Sequence, residues 1–339
     1  MYRYIDTLSV KDYYDSKEKD MKLQFRRTNM EYIVGIDGGG TKTRLVVIDK
    51  EGKTLFTSIG GPSNILSSGY EESKRSINTV LTNGILDNDL EFKNCIGMCI
   101  GVAGGGRATV KGQIEEIIRT AGFKGKLIVT HDGEIALTAG TEGKEGLLLI
   151  AGTGAICYGK NNIGDIVRVS GWGHLVGDEG SAYSIGIKII RAVMKAYDGR
   201  AEATLLSKLL LTELGFSNEE EIITHIYRPQ FTKEHIAALA VLIEEGIKNN
   251  DNISLKIANE TVDDLTEAAS SASSKLGFKD KDFRLIIDGS VLLNNSYIRN
   301  GFINNISKEL KYVQVTTREK EAAYGAALMI LKEIDRVRL

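Results

Sequence analysis

The stretch Gly35-Ile36-Asp37-Gly38-Gly39-Gly40-Thr41-Lys42-Thr43 joins an apolar strand to a second strand through a glycine-rich turn. A similar turn follows an apolar strand in the second half of the chain, at Ala151-Gly152-Thr153-Gly154. Glycine lets the backbone approach an anion closely and point its N–H groups at it, and Thr41 and Thr153 add hydroxyl donors. Two such turns facing each other could hold a nucleoside triphosphate between two similar lobes. The repeat therefore predicts phosphoryl-transfer chemistry.

Strands and helices alternate along the rest of the chain. The segments Tyr32–Ile36, Arg44–Asp49 and Thr54–Ser58 predict three consecutive strands, and the second half repeats this trio before it turns helical. Mostly amphipathic helices are expected there, among them Asp178–Tyr197 and Lys233–Asn249. This alternation predicts an α/β fold with mixed sheets.

The chain is expected to fall into three parts. Residues 1–29 are rich in charge and tyrosine and lack sustained periodicity, so we interpret them as a peripheral N-terminal extension. Residues 30–144 form the expected N-terminal lobe, which holds the first glycine turn. Residues 145–339 form the expected C-terminal lobe, which holds the second. A chain of 339 residues is long enough for each lobe to bury its own core.

Composition argues against several classes of partner. The 43 basic and 45 acidic residues nearly balance, so neither nucleic acid nor a membrane surface is indicated. No apolar run approaches the roughly 20 residues that span a bilayer, and no signal peptide follows Met1, so we expect a cytoplasmic protein. Cys95, Cys99 and Cys157 are interpreted as buried thiols in a reducing compartment, and the spacing of the first two is a poor match to a zinc site.

Three aspartates stand where chemistry is expected. Asp37 closes the first strand, Asp132 closes the strand at Lys126–Thr130, and Asp178 opens a helix. Open α/β sheets bind ligands at the carboxyl ends of their strands. Phosphoryl transfer needs a carboxylate that organises magnesium and a second one that accepts the proton of the acceptor hydroxyl. Asp37 suits the first role and Asp132 the second, although helix capping or turn formation would also explain each aspartate, Asp178 above all.

Five stretches carry a family resemblance. The first glycine turn and Ala151-Gly152-Thr153-Gly154 resemble the two phosphate motifs of the superfamily that unites sugar kinases, actin and heat-shock chaperone ATPases. Asp288-Gly289-Ser290-Val291 resembles its adenosine motif, and Ala322-Ala323-Tyr324-Gly325-Ala326-Ala327 its last connecting helix. The string from Gly171 to Tyr183, of pattern Gly-x-Gly-His-x-x-Gly-Asp-Glu-Gly-Ser, resembles the N-acetylglucosamine kinase family within the BadF/BadG-type ATPases.

The resemblance implies a fold and a role for each matching residue. The fold would be a two-lobed, actin-like (ribonuclease H-like) ATPase with an interlobe cleft, its last helix packing back toward the N-terminal lobe. Asp37 would be the metal ligand and Asp132 the catalytic base. The implied ATP-binding residues are Gly38, Gly39, Gly40, Thr41, Lys42, Gly152, Thr153, Gly154, Gly289 and Ser290. The implied sugar-binding residues are Asn64, Asp132, Gly171, Trp172, Gly173 and Asp178.

The resemblance implies an ATP-dependent sugar kinase that converts N-acetylglucosamine to its 6-phosphate, in amino-sugar metabolism and cell-wall recycling. Its partners would be Mg²⁺, ATP and a small sugar, and a homodimer is compatible with it. N-acetylmuramic acid and glucosamine are alternative acceptors. More distant alternatives are a non-enzymatic sugar sensor, a filament protein, and an ATPase activator of the 2-hydroxyacyl-CoA dehydratase type. The activators hold an iron–sulfur cluster with cysteines after the second phosphate motif, and here none follows Cys157. No zinc or iron–sulfur centre is therefore expected.

Three side chains also have simpler interpretations. Trp172 is the only tryptophan, and by residue type alone it would be a core aromatic. His131 and His174 are interpreted as structural residues. His131 departs from the family pattern, in which a smaller polar residue is expected before the base.

Overall fold

The computed structural model describes residues 30–338, so the predicted extension, residues 1–29, lies outside the described residues. The chain forms two compact units. The first contains the described residues up to Gly143 together with those from Lys320 onward, and the second is Lys144–Glu319. The chain therefore leaves the first unit once and returns to it at the end. Within residues 30–338, we find no helix with the length and apolar character that a membrane crossing requires.

The first unit is built on a mixed sheet in the order β3-β2-β1-β4-β5. Its strands are β1 (Tyr32–Gly38), β2 (Thr43–Ile48), β3 (Thr54–Gly60), β4 (Cys95–Val102) and β5 (Lys126–His131). Its first four helices are α1 (Ile65–Ser68), α2 (Tyr70–Gly84), α3 (Ala108–Thr120) and α4 (Asp132–Thr141), with 3₁₀ turns at Leu86–Asn88 and Phe92–Asn94. β1 pairs antiparallel with β2 and parallel with β4, and β4 pairs parallel with β5.

The second unit repeats this sheet, in the order β8-β7-β6-β9-β10 when read in the matching direction. Its strands are β6 (Gly146–Ala151), β7 (Ala155–Lys160), β8 (Ile166–Ser170), β9 (Phe283–Asp288) and β10 (Val313–Thr317). Its helices are α5 (Ala182–Tyr197), α6 (Leu205–Leu214), α7 (Glu220–Ile226), α8 (Lys233–Ala238), α9 (Leu242–Lys248), α10 (Asn252–Leu276), α11 (Ser290–Asn294) and α12 (Ser296–Glu309). β6 pairs antiparallel with β7 and parallel with β9, as β1 does with β2 and β4. The predicted repeat and the α/β class with mixed sheets are confirmed.

Each unit has its own apolar core. In the first, β1 is buried along nearly its whole length, as expected of a strand covered on both faces. Ile77, Val80 and Leu81 line one face of α2 at helical spacing and pack into the same core. In the second, the long helix α10 packs against β6, β7 and β8. Each fully buried Val, Leu or Ile side chain contributes about 1.5–3 kcal/mol to stability. The three cysteines are free and buried, as interpreted from the sequence.

The last helix, α13 (Ala322–Arg338), belongs to the first unit, where it packs on β1 and α4. It approaches β1 so closely that a Cβ atom on Gly35 would lie 2.0 Å from the carbonyl oxygen of Ala323. A Cβ atom on Gly325 would likewise lie 2.0 Å from the carbonyl oxygen of Ile135 in α4. The small residues at these contacts are therefore a packing requirement, and the first unit is assembled from two distant parts of the sequence.

Two helix predictions are corrected by the structure. The helix expected over Asp178–Tyr197 begins at Ala182, because Ser181 is the N-cap and its Oγ accepts a hydrogen bond of 3.1 Å from the backbone N–H of Ser184. Asp178 is therefore not the cap of this helix. The single helix expected over Lys233–Asn249 is instead α8 and α9, joined by a 3₁₀ turn in which the hydrogen-bond pattern tightens.

Candidate active site

Three parallel strands of the first unit end at one edge of its sheet. Asp37 of β1 is in register with Gly101 of β4, which is in register with Thr130 of β5. Asp132 follows the end of β5 and is the first residue of α4. Since neighbouring strands lie about 4.8 Å apart, β1 and β5 are separated by about 10 Å at this edge. The predicted metal ligand, Asp37, and the predicted base, Asp132, therefore both lie at the carboxyl ends of strands of the same sheet.

The first glycine turn is hydrogen-bonded to the segment that contains Asn64. The carbonyl oxygen of Gly39 accepts hydrogen bonds from the backbone N–H groups of Ser63, at 3.0 Å, and Asn64, at 3.2 Å. The hydroxyl of Thr43 lies 2.7 Å from Ser63 Oγ. Asn64 caps α1 through Oδ1, which accepts from the backbone N–H of Leu66 at 3.1 Å. The predicted phosphate turn and the predicted sugar-binding asparagine thus form one hydrogen-bonded block.

The surroundings of Asp132 keep its carboxylate ionised. Partial burial by itself would raise the pKa of Asp132, but the hydrogen bond and charge of His131 and the backbone N–H of Gly133 outweigh it and lower that pKa below its usual value. Oδ1 of Asp132 lies 2.7 Å from Nδ1 of His131 and accepts from Gly133 N at 2.9 Å. The side chain of Asp132 is 41% exposed. It is therefore accessible to a substrate hydroxyl. His131 is the N-cap of α4, so the departure from the family pattern falls on a residue that contacts the predicted base.

The second glycine turn connects β6 and β7 and lies against Asp178. Gly152 donates a hydrogen bond of 2.9 Å to the carbonyl oxygen of Gly154, and the first N–H of α5, from Ala182, donates to the carbonyl oxygen of Gly152 at 2.8 Å. A Cβ atom on Gly154 would lie 2.9 Å from Oδ2 of Asp178. The structure therefore brings this predicted sugar-binding carboxylate directly beside the predicted phosphate turn.

Burial raises the pKa of Asp178, against the opposing effect of two backbone N–H groups, those of Gly173 and Ala155. The contact from Gly173 N to Oδ1 of Asp178 measures 3.3 Å. The carboxylate is thus oriented by the loop that precedes it. It is also oriented by the strand that follows the phosphate turn.

Trp172 lies on a small exposed hairpin, so the prediction of a core aromatic from residue type is wrong. Its backbone N–H donates to the carbonyl oxygen of Gly177 at 2.8 Å, and Gly173 and Gly177 form a short antiparallel bridge. The hairpin projects the indole outward, where it is 64% exposed, and the guanidinium of Arg168 lies 4.3 Å from the ring centroid. His174, also exposed, packs edge-on against Tyr183.

The predicted adenosine motif lies against the end of β6. Gly289 has φ +91° and sits so close to Ala151 that a Cβ atom would lie 2.4 Å from the carbonyl carbon of that residue. Asp288 accepts from Gly289 N through Oδ1 at 2.8 Å and from Arg318 Nη2 through Oδ2 at 2.7 Å. The adenosine motif and the second phosphate turn are therefore adjacent in the second unit.

A cavity of about 210 Å³ opens beside this motif. Two residues of α5, the segment 237–244 and the segment 290–298 line it. Ser290, predicted to bind nucleotide, is among them. Asn294 and Asn295 follow the adenosine motif after Leu292 and Leu293, so the motif points to this part of the chain. Residues 237–244 could not have been inferred in this way, because they reach the cavity only through tertiary packing and carry no motif.

A second cavity, of about 290 Å³, lies at the exposed hairpin. His174, Asp178 and Tyr183 line one part of it, and Lys188 and Arg191 of α5 line another. Lys188 is paired with Asp264 at 3.1 Å and with Glu260 at 3.2 Å. The sequence analysis did not single out Lys188 or Arg191, because nothing in the sequence places α5 beside the hairpin.

Comparison with known proteins gives a family and a set of relatives. Residues 34–329 match the sequence profile of the BadF/BadG/BcrA/BcrD ATPase family. The N-acetylmuramic acid/N-acetylglucosamine kinase of Clostridium acetobutylicum is 37% identical over 90% of this chain and 100% of its own length. The N-acetyl-D-glucosamine kinase of Dictyostelium discoideum is 31% identical over 89% of this chain and 98% of its own length. A solved structure from Chromobacterium violaceum, whose name proposes an N-acetylglucosamine kinase, shares the fold, with a TM-score of 0.69 at 22% identity over 89% of this chain and 99% of that chain.

Proposed function

This chain belongs to the BadF/BadG/BcrA/BcrD ATPase family and phosphorylates an amino sugar with ATP, and we propose that N-acetylglucosamine accepts the phosphoryl group on its 6-oxygen. The relatives from Clostridium acetobutylicum and Dictyostelium discoideum are both named as kinases of this sugar. The observation that carries the proposal is Asp132, an exposed carboxylate held ionised in the unit that also holds the first glycine turn.

Asp132 is proposed as the general base. Its carboxylate accepts the proton of the sugar hydroxyl as the oxygen of that hydroxyl forms a bond to the γ-phosphorus of ATP. The bond between the γ-phosphorus and the oxygen that bridges to the β-phosphate breaks, and ADP leaves with that electron pair. Backbone N–H groups of the two glycine turns and the ammonium of Lys42 stabilise charge on the phosphate oxygens. The products are the sugar 6-phosphate, ADP and a proton.

Asn64 and Asp178 are proposed to select the sugar. The Asn64 amide can both donate and accept hydrogen bonds, and the Asp178 carboxylate can accept from two sugar hydroxyls. Both are already oriented, Asn64 as the cap of α1 and Asp178 by the N–H groups of Gly173 and Ala155. Sites built in this way reject substrates that lack the matching polar groups, because the site's own groups would then be left unpaired. Gly171, Trp172 and Gly173 complete the proposed sugar segment.

Asp37 and Thr41 are proposed to hold the magnesium ion of Mg-ATP. Mg²⁺ takes oxygen ligands, commonly one or two carboxylates together with substrate phosphates and water, so a carboxylate with a neighbouring hydroxyl fits it. Within residues 30–338 the structure shows no group of three or more His, Cys, Asp or Glu side chains that could hold a metal ion. When bound, the ion supplies charge neutralisation at the phosphate oxygens.

N-acetylmuramic acid is a second candidate acceptor, favoured by the cavity at the exposed hairpin. This sugar carries a lactyl carboxylate on its 3-oxygen. The cavity begins at Asp178 and is also lined by Arg191, whose guanidinium makes no ion pair with any residue in the described range 30–338. An arginine without a protein partner can bind a carboxylate through two hydrogen bonds.

The proposed function is tested by a coupled assay of ADP release from Mg-ATP with N-acetylglucosamine, N-acetylmuramic acid, glucosamine and glucose. We expect the two N-acetylated sugars to have the highest kcat/KM, and ³¹P–¹H correlation of the product to place the phosphate on the 6-oxygen. A preference for glucose or glucosamine would contradict the N-acetyl assignment. Release of ADP that no sugar accelerates would contradict the kinase assignment itself.

A further inference from the structure

We propose that Thr43 and Ser63 are positioning residues that align the sugar with the phosphates of ATP. The inference rests on the proposed function in two assignments, that Asn64 binds the sugar and that the first glycine turn binds the phosphates. Thr43 and Ser63 are both fully buried, so neither hydroxyl is assigned to a substrate. Their role is to hold the two binding elements in one fixed arrangement within the first unit.

Thr43 stands where the first glycine turn ends. It is the first residue of β2, in register with Gly38 of β1 and with Gly60 of β3. The backbone N–H of Gly39 closes the turn by donating to the carbonyl oxygen of Lys42 at 3.0 Å. Because strands pair with β2 on both sides, the sheet fixes the position of Thr43 directly beside the turn.

A chain of hydrogen bonds joins Ser63 to Thr43. Oγ1 of Thr43 lies 2.7 Å from the carbonyl oxygen of Gly61 and 2.7 Å from Oγ of Ser63. A carbonyl oxygen can only accept, so the single hydrogen of the Thr43 hydroxyl is donated to Gly61, and the Ser63 hydroxyl donates to Thr43. Ser63 also packs on the backbone of the turn, since a Cβ atom on Gly38 would lie 2.6 Å from its Oγ. Both hydroxyl hydrogens are used, and removing either hydroxyl breaks the chain.

The segment that carries Asn64 has little apolar packing to hold it. The structure describes every residue of the segment 61–68, and among these Ser63 alone is buried. In α1, which follows Asn64, Ile65 packs against the apolar core only in part, and Leu66 is 55% exposed. A segment without a buried apolar anchor takes its position from its hydrogen bonds. The one buried side chain of this segment is a hydroxyl that is bonded to β2.

The same contacts place the Asn64 amide beside the phosphate turn. The backbone N–H groups of Ser63 and Asn64 donate to the carbonyl oxygen of Gly39 at 3.0 Å and 3.2 Å. A Cβ atom on Gly40 would lie 4.0 Å from Nδ2 of Asn64, so the side-chain amide is close to the turn. Transfer between two bound substrates requires the reacting atoms to be aligned, and a misplacement of about 1 Å costs roughly 100-fold in rate. Thr43 and Ser63 therefore act on the rate of transfer more than on the affinity for either substrate.

The test compares Ser63→Ala and Thr43→Val with Thr43→Ser and Thr141→Val. The first two variants each remove one hydroxyl of the chain, whereas Thr43→Ser keeps it. Thr141→Val is the matched control, because Thr141 is also fully buried in the first unit but its hydroxyl donates within its own helix, to the carbonyl oxygen of Leu137 at 2.9 Å. We measure kcat and the KM values of Mg-ATP and of the sugar with the highest kcat/KM, at a temperature below the Tm of every variant.

Ser63→Ala and Thr43→Val should each lower kcat about 10- to 100-fold and change both KM values less than about 3-fold, because the substrates still bind but are misaligned. Thr43→Ser should bring kcat back to within about 3-fold of the wild type, and Thr141→Val should match the wild type. Because the two hydroxyls act as one chain, the variant that lacks both should be no slower than the slower single variant.

A kcat near the wild-type value in Ser63→Ala and Thr43→Val, or an equal loss in Thr141→Val, would overturn the inference and leave the proposed function intact. Should Thr43→Val fail to fold, Ser63→Ala, which keeps the bond from Thr43 to Gly61, decides alone. Asn64→Ala tests the assignment on which the inference rests, since it should raise the KM of the sugar. An unchanged KM in that variant would contradict the proposed sugar site, and the inference with it.

Discussion

At the scale of single residues, Asp132 is the side chain whose surroundings say most about the reaction. It is ionised, exposed and at the carboxyl end of β5. Asp132→Asn keeps the shape of the side chain but cannot accept a proton, so kcat should fall about 100- to 10,000-fold. The dissociation constant of the sugar should change far less, because the amide still forms hydrogen bonds. Turnover near the wild-type rate in the purified variant would show that Asp132 is not the base.

His131 should set the acid limit of activity through Asp132. The hydrogen bond and charge of His131 lower the pKa of Asp132, whereas burial raises it. A carboxylate base with a lowered pKa stays ionised, and active, to lower pH. His131→Asn removes the imidazole and its charge from beside Asp132, so the pKa of Asp132 should rise and the acid limb of the kcat/KM profile should move to higher pH. The profile should be measured together with that of His225→Asn, which lies in the other unit, is not among the proposed site residues and should leave the acid limb in place.

The same shift has a consequence for stability. Because the pKa of Asp132 is lower in the folded protein, its ionised form contributes stability above the pKa of the unfolded chain. That contribution is lost as the pH falls through the folded pKa. Acid unfolding of His131→Asn should therefore begin at a higher pH than that of the wild type, and circular dichroism against pH would show it. Identical acid transitions would mean that the contact between His131 and Asp132 does not stabilise the folded protein in solution.

At the scale of elements, the turn between β9 and α11 depends on Gly289. Gly289→Ala introduces a side chain at φ 91° and ψ 154°, a region essentially restricted to glycine, which costs about 1–3 kcal/mol, and also places a Cβ atom 2.4 Å from the backbone of Ala151. Gly69→Ala is the matched control, since Gly69 has a similar backbone conformation (φ 79°, ψ 168°, against φ 91°, ψ 154° at Gly289) but has no atom within 4 Å of the added Cβ. Urea titrations should show a larger loss of unfolding free energy for Gly289→Ala, and only this variant should lose stabilisation by ADP. Equal losses would mean that the Ala151 contact can relax.

Elements that depend on local sequence could be predicted, and those that depend on tertiary contacts could not. The glycine turns after β1 and β6 follow from strand periodicity and from the conformational freedom of glycine, so the repeat of the two sheets was visible in the residues alone. Trp172 was misplaced because residue type indicates burial only on average, and a hairpin with an arginine beneath it exposes the ring. The segment 237–244 was not predicted to line a cavity, because it reaches the cavity through packing that no local pattern records.

At the scale of the whole molecule, the two units differ in how the chain builds them. The second is one continuous segment, Lys144–Glu319, with its own core, whereas the first needs α13 to cover β1 and α4. We therefore expect the fragment Lys144–Glu319 to fold alone and residues 30–143 not to. Joining residues 30–143 to residues 320–338 through a flexible linker should restore folding. Thermal melts followed by circular dichroism would show which fragments fold: we expect a cooperative melt for Lys144–Glu319 and for the linked fragment. A cooperative melt of residues 30–143 alone would contradict the expectation.

Because the first unit is completed only by residues from Lys320 onward, the two units should fold in a fixed order during synthesis on the ribosome. Translation adds about 5–20 residues per second, so synthesis of the second unit takes roughly 10–35 s. During that time α13 has not been made, and the surface of β1 around Gly35 is not covered by it. The first unit is thus completed after the second, whose sequence lies between the two parts of the first. Protease digestion of ribosome-stalled chains should therefore find Lys144–Glu319 protected before the strands that precede it, and newly made protein should depend on chaperones for that interval.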